Sequence, residues 1–358
     1  MARIKNMPFV RLVPADLSVC SVAGSFLQSS FWGTFKESFG WKAFAFSAEW
    51  RTGAAPLLVL HRVLARGFAL AYVPWGPEIP SVLELSDAER SAALPLLAAA
   101  LQPLLPRDAV FIRFDPPWRG GEGSRPFPEP FVRAAADIQA PDTALVDLCA
   151  GEEAILSRMK SKCRYNVRLG GRKVAVRQAD EAGLDDFYRL LRETARRDGI
   201  ALHEEAYYRR LFACARASGE TLRLYLAYGE GQPVAGVVVL FRGQVATYLY
   251  GASSGRHRGL MAPHALQWQA MRDAKAAGAV AYDLFGIPPD ADPAHPMAGL
   301  HRFKTGFGGV VVHRAGSWDY PVKPILYALF RRVERLRKRA RDVKKRALQA
   351  GRARNPAD

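Results

Sequence analysis

Residues Tyr282 to Arg314 read YDLFGIPPDADPAHPMAGLHRFKTGFGGVVVHR, and this stretch restricts the fold more than any other. Tyr282 and Leu284 open it as a short buried strand that ends at Gly286. The Pro- and Asp-rich run from Pro288 to Pro296 can be neither helix interior nor central strand, because each proline fixes φ and removes a backbone donor. A short apolar and basic turn follows at 299–304, then a break at Gly306. Gly308 and Gly309 lead into the β-rich run Val310-Val311-Val312. Strand, loop, basic turn, paired glycines and strand are the parts of a site built at the open end of a sheet. Lys304 sits in that turn between Phe303 and Phe307, which would hold its ammonium near apolar walls. On local chemistry alone, a solvated lysine on a surface hairpin is the alternative.

At 358 residues the chain is long enough for two ordinary domains, and its 49% hydrophobic content supports a real core. The net charge of +17 is clustered, which points to an anionic partner: nucleic acid, an anionic membrane face or a phosphorylated substrate. Cys20, Cys149, Cys163 and Cys214 have no short pairing spacing, so neither a zinc pattern nor a disulfide framework can be drawn. They read as reduced thiols in a cytosolic protein. The N-terminus lacks a continuous apolar run, and the most apolar stretch, Ala92 to Leu105, is too short and too interrupted by Pro95 and Pro103 to span a membrane.

In the first half, Gly24 to Lys36 has helical spacing and is expected to end by Gly40, with Trp41 opening a strand. Leu57–Leu64 and Ala69–Val73 read as strands, Asp87–Leu101 as an amphipathic helix, and Ala109–Pro117 as a parallel-type strand with Arg113 and Asp115 on one face. A surface ion pair across that face is one role for Arg113. In the second half, Gly151 opens a helix carrying Arg158, Lys160, Lys162, Arg164, Arg168, Arg172 and Lys173. So many cations in one segment repel one another unless an anion offsets them. Gly170-Gly171 is expected to end that helix early. Two amphipathic helices follow, with His203 read as flanking the second. Next comes a meander of three strands, on the last of which Tyr248 and Tyr250 are expected to share a face.

Three separated motifs carry a resemblance. QSSFWGTFK followed by GW at 28–41, MKSKCRYNVRLGGRKVAV at 159–176, and YDLFGI with GLHRFKTGFGG at 282–309 resemble, in that order, the FemABX family of peptidoglycan interpeptide-bridge aminoacyltransferases. The resemblance implies an α/β fold of two tandem GNAT-like domains, each a mixed twisted sheet flanked by helices, plus a basic C-terminal helix. The implied domains are 1–142 with 317–358, and 143–316. The short link at 199–203 leaves no room for the coiled-coil arm that some members carry. The implied reaction moves an aminoacyl group from aminoacyl-tRNA to an amine on the stem peptide of a peptidoglycan precursor, with no other cofactor and no metal. It assigns Lys304, Asp115 and Tyr250 to catalysis. Lys36, Trp32, Lys160, Arg164, Arg168 and Phe303 are assigned to substrate, with Lys36 and Arg164 on the precursor's phosphates, where a compact ammonium and a planar fork suit a diphosphate. Lys36, Arg164 and Lys304 are then expected to converge on one polyanionic guest. No general base is evident, which leaves a substrate-assisted mechanism.

Two other readings stand beside this one. The first is an acyl-CoA-dependent N-acyltransferase on the same fold, for which the 254–262 turn would serve as the pyrophosphate loop. The second is a non-catalytic RNA- or membrane-binding protein. From Lys323 onward the chain reads as one basic helix, with Leu326, Leu329, Phe330, Val333, Leu336 and Val343 along one side. Residues 323–348 are therefore expected to meet an anionic membrane surface, and the expected location is cytoplasmic, peripheral on the inner face of the plasma membrane.

Overall fold

The computed structural model describes residues 9–51, 53–80, 85–118, 127–293 and 295–336. In chain order the first half gives β1 (Phe9–Ala15), α1 (Ser30–Glu37), β2 (Lys42–Trp50), β3 (Gly53–Ala65), β4 (Phe68–Val73), α2 (Asp87–Leu101), β5 (Ala109–Phe114) and β6 (Val132–Arg133). The second half continues with β7 (Thr143–Asp147), α3 (Glu152–Arg158), α4 (Ser161–Lys173), β8 (Ala175–Ala179), α5 (Gly183–Asp198), α6 (Glu205–Ala217), β9 (Thr221–Gly229), β10 (Gln232–Arg242), β11 (Val245–Ser253), α7 (Ala262–Ala276), β12 (Ala281–Asp283), α8 (Ala298–Thr305) and β13 (Val310–Val312). The chain then returns as β14 (Trp318–Pro321) and a last helix, α9, over 324–336.

The strands form two seven-stranded sheets of the same design, ordered β1-β2-β3-β4-β5-β14-β6 and β13-β7-β12-β11-β10-β9-β8. Each has a four-stranded antiparallel meander, a helical crossover (α2 or α7), and then a parallel fifth strand. This is the expected pair of mixed, helix-flanked sheets. Side-chain alternation sorts the second sheet's residues cleanly. Leu224, Leu226, Val238 and Leu240 face a core shared with the first half, α5, α6 and α9, while Tyr225, Ala227, Val237 and Val239 face a core under α4 and α7. The first sheet's outer face packs on α2.

The parallel pairs differ in length. β4 and β5 run together from Ala69 and Ala109 to Val73 and Phe114, and the Asp115 N–H extends the ladder to the Val73 carbonyl. β11 and β12 pair only over Val245–Ala281, Ala246–Tyr282 and Thr247–Asp283, after which β11 continues paired with β10 but without β12. The second sheet therefore opens at Tyr248.

Several sequence expectations need correction. Gly24 to Lys36 is not one helix: a 3-10 turn at Phe26–Gln28 precedes α1, whose N-cap Ser29 accepts from the Trp32 N–H. The basic helix after Gly151 is two helices broken at Met159. α4 runs unbroken through Gly170 and Gly171. Gly170 is there for contact, since a Cβ would lie 2.7 Å from the Met261 carbonyl oxygen at the start of α7, whereas one on Gly171 would meet open space. Arg113 makes no surface pair with Asp115. It grips buried Asp319 of β14 through two hydrogen bonds, 2.7 and 2.9 Å, so the ion pair is internal.

The two glycines should respond oppositely to alanine. Gly171→Ala should stabilise by about 0.5–1 kcal/mol through helix propensity, and Gly170→Ala should destabilise by about 1–3 kcal/mol through overpacking against α7. Urea denaturation of both variants checks this.

Candidate active site

The residues of interest gather at the seam between the two sheets. On α1, Trp32 and Lys36 are four apart and share a side. Gly40 adopts φ +77° after the helix, and the Trp41 N–H returns to the Lys36 carbonyl at 3.3 Å. That turn folds the second indole back, so the Lys36 ammonium lies 5.3 Å from the Trp32 ring centre and 5.4 Å from that of Trp41. Burial, with the Arg62 charge adding to it, pushes Lys36 down to about 8. Beside Trp41 lies Tyr72, whose hydroxyl donates to Asp115. The Ser317 hydroxyl donates to the other Asp115 oxygen. Burial raises Asp115 to about 6, against the pull of those hydroxyls.

The second half supplies the facing wall. Tyr250 and Tyr207 hydroxyls are 3.2 Å apart, and the Tyr207 ring packs on Phe35 and Phe39 of the first half. His203 stacks on Tyr207 at 3.9 Å, and burial together with the Lys36 charge holds it below its usual value. It flanks α6, as read from sequence, yet it also belongs to this wall. Tyr248 and Tyr250 do not share a face. A bulge leaves Leu249 unpaired, with Val238 opposite Tyr250 and Val239 opposite Tyr248, so the alternation resets. Tyr250 turns to the shared core and Tyr248 to the core under α7.

Tyr248 marks where the sheet opens, and Lys304 fills the gap. Its amine donates to the carbonyls of Phe285, at 2.8 Å, and Gly286, at 2.9 Å, and lies over the Tyr248 ring at 5.0 Å. The expected walls Phe303 and Phe307 instead pack on each other and on His264. Asp283 arranges the carbonyls: it accepts from the Thr143 hydroxyl and, at 2.8 Å, from the Phe285 N–H, holding Phe285 at φ +52°. Burial drives Lys304 down to about 7, with Asp283 opposing it. The Phe285 ring bridges to Trp75 and to Phe26, and Phe26 packs on Trp32. One aromatic wall thus connects Lys304 to Lys36. Arg314 closes its edge, 4.1 Å over Trp75 and 4.0 Å from Asp283.

The α4 cations lie elsewhere. Cys163 and Val167 put α4 against the opposite face of the second sheet from α1. Arg164 turns onto the last carbonyls of α3, Leu156 at 3.3 Å and Ser157 at 3.0 Å, and Arg168 is exposed. Lys160 reaches the Thr305 hydroxyl at 3.4 Å. So Lys36 and Lys304 share a wall, while the expected third partner, Arg164, does not join them. Sequence reasoning missed Tyr72, Ser317 and Asp283. No spacing rule links them to Asp115 or Lys304; only Gly40-Trp41 carried a local signal. Among the described residues no His, Cys, Asp or Glu group could hold a metal ion.

The sequence model of the FemAB family matches residues 130–228 and 213–335. The lipid II:glycine glycyltransferase of Staphylococcus aureus strain USA300 is 22% identical over 264 residues, covering 55% of this chain, and the same protein of strain NCTC 8325 matches equally. The match spans 62% of those relatives' length. Among solved structures, FemX superposes with TM-score 0.73 at 19% identity, covering 89% of this chain and 99% of FemX. A conserved protein of unknown function from Bacteroides thetaiotaomicron superposes at 0.51 with 11% identity, covering 87% and 98%.

Because Asp115 is raised in the folded chain, its contribution to stability is full below the usual carboxylate pKa near 4 and is lost as pH rises through about 6. Asp115→Asn should abolish that slope. Between pH 4 and 7 the parent should lose roughly 3 kcal/mol relative to the variant, read from paired chemical denaturation curves.

Proposed function

Because this chain belongs to the FemAB family, we propose that it transfers an aminoacyl group from aminoacyl-tRNA to an amine of the stem peptide of a peptidoglycan precursor, lipid II or UDP-MurNAc-pentapeptide. The name of the curated relatives, which couples lipid II to glycyl transfer, supports the acceptor class. The observation that carries the reading is Lys304. A buried amine is fixed by two carbonyls at the opened end of a parallel strand pair, on an aromatic wall shared with Lys36. The acceptor nitrogen attacks the ester carbonyl, a C–N bond forms, the C–O bond to the ribose breaks, and the ribose oxygen takes the proton. Such a reaction needs positioning and a cation near the developing oxyanion more than a strong base. Lys304 supplies that cation. Lys36, between its indoles, holds the precursor's phosphates, and Asp115 and Tyr250 orient the acceptor amine.

The acyl-CoA reading meets obstacles at the 254–262 turn. The Leu260 and Met261 N–H groups are spent on the His257 and Arg258 carbonyls, Pro263 has none to give, and α4 crosses at Met261. Those two donors are therefore not available to a pyrophosphate there.

Incubation with charged tRNA pools and both precursors, followed by mass spectrometry, tests the reaction. Lys304→Met should cut transfer by about 10²–10³-fold while precursor binding persists; full turnover in that variant would overturn the assignment. Lys36 is charged below about 8, so precursor affinity should fall as pH rises through that value. Lys36→Met should bind weakly with a flat pH profile over the same range, which titration calorimetry can follow.

A further inference from the structure

α9 is fixed to the first sheet on one side only. The Tyr327 hydroxyl donates to Asp319 at 2.9 Å, the ring of Phe330 stacks on Phe111 at 5.0 Å and meets Phe68 at 5.4 Å, and Arg331 donates to the Arg133 carbonyl at 2.6 Å. The apolar residues of this segment therefore do not form one side: Phe330 turns inward with Tyr327, whereas Leu326, Leu329, Val333 and Leu336 are exposed, and Val343 lies outside the described residues. At 100° per residue, Ile325, Leu329 and Leu336 lie opposite Tyr327. They are 87%, 58% and 57% exposed. Val333 and Leu326 flank this row on one side, Arg332 and Arg335 on the other. A helix docked on a globular core normally turns its polar side to water; here the outward side is apolar with a cationic border. The tip of the β3–β4 hairpin adjoins it through Phe68 and exposes Val63, Leu64 and Arg66. Immediately after, the sequence 337–346 carries seven Lys or Arg against one Asp.

We infer that the outward face of α9 is a membrane-docking surface for an anionic bilayer, with Ile325, Leu329 and Leu336 entering the acyl boundary and Arg332 and Arg335 meeting lipid phosphates. The charge settles which occupant fits. A second copy would bring the same cations face to face, and an RNA would leave the apolar row uncovered, whereas an anionic lipid surface satisfies both parts. Among the described residues no helix is long and apolar enough to cross a membrane, so the contact is made along the surface. The inference is independent of the transfer reading, because its test measures vesicle binding alone.

The test is vesicle sedimentation of the full chain. The parent should co-sediment with phosphatidylglycerol/phosphatidylcholine vesicles and not with pure phosphatidylcholine. I325S/L329S/L336S alters only exposed positions and should keep the parent's melting temperature, yet lose roughly tenfold or more in partitioning. R332Q/R335Q should weaken partitioning at low salt and little at half-molar salt, where the parent itself is screened. Undiminished vesicle binding by the triple variant would overturn the inference. So would light scattering that shows the parent dimeric and the triple variant monomeric, or tRNA binding that the triple variant alone abolishes.

Discussion

The second sheet comes apart after Asp283, and a single carboxylate controls how. Asp283 accepts from Thr143 on one side and from the Phe285 N–H on the other, so the chain leaves β12 through a left-handed residue rather than continuing the ladder. That turn points two carbonyls into the gap, and the gap is where Lys304 puts its amine. Burying an ammonium costs several kcal/mol unless acceptors meet it. Two carbonyls, a tyrosine face and a nearby carboxylate meet this one. The first sheet has the same topology but no gap, because its parallel pair stays closed up to Asp115. The duplicated design therefore yields two unlike ends: one open and cationic, one closed and acidic.

Those two ends face each other across the aromatic wall. Trp32, Phe26 and Phe285 form a continuous path between Lys36 and Lys304, and residues from both halves contribute to it. Tyr207 packing on Phe35 and Phe39 extends the same interface toward Tyr250. The rings fix the relative placement of the halves and lower the local dielectric around the charges. That is why both lysines sit below their ordinary values while Asp115 sits above its own.

Much of this architecture was legible in the sequence. Alternation and helical spacing located the strands and helices, Asp87–Leu101 to the residue, and the Pro-rich loop and paired glycines framed Lys304. Gly308 and Gly309 also explain themselves in the structure, since a Cβ at either would strike the Arg158 or Leu145 carbonyl. What could not be read were contacts between residues far apart in sequence. Period-two reasoning placed Tyr248 and Tyr250 together because a bulge leaves no local mark. The family resemblance implied that Arg164 joins the other cations, but the face of a sheet against which a helix packs is decided by its buried residues, here Cys163 and Val167, not by its exposed ones. The partners of Asp115 come from Tyr72 and Ser317, 43 and 202 residues away, beyond the reach of any spacing rule.

β14 has a further consequence. It lies between β5 and β6, so an interior position of the first sheet is filled by a strand that follows the whole of the second sheet in sequence. Arg113 waits on β5 for Asp319, and Asp115 for Ser317. During synthesis, the amino-terminal sheet would emerge from the ribosome with a slot between two of its strands, an unpaired buried guanidinium and half an acid site. Only when the intervening half has been made, and has folded or been held, can the returning strand close it. The two halves are thus coupled in time as well as in space, and nothing resembling the complete seam exists before β14 has been made.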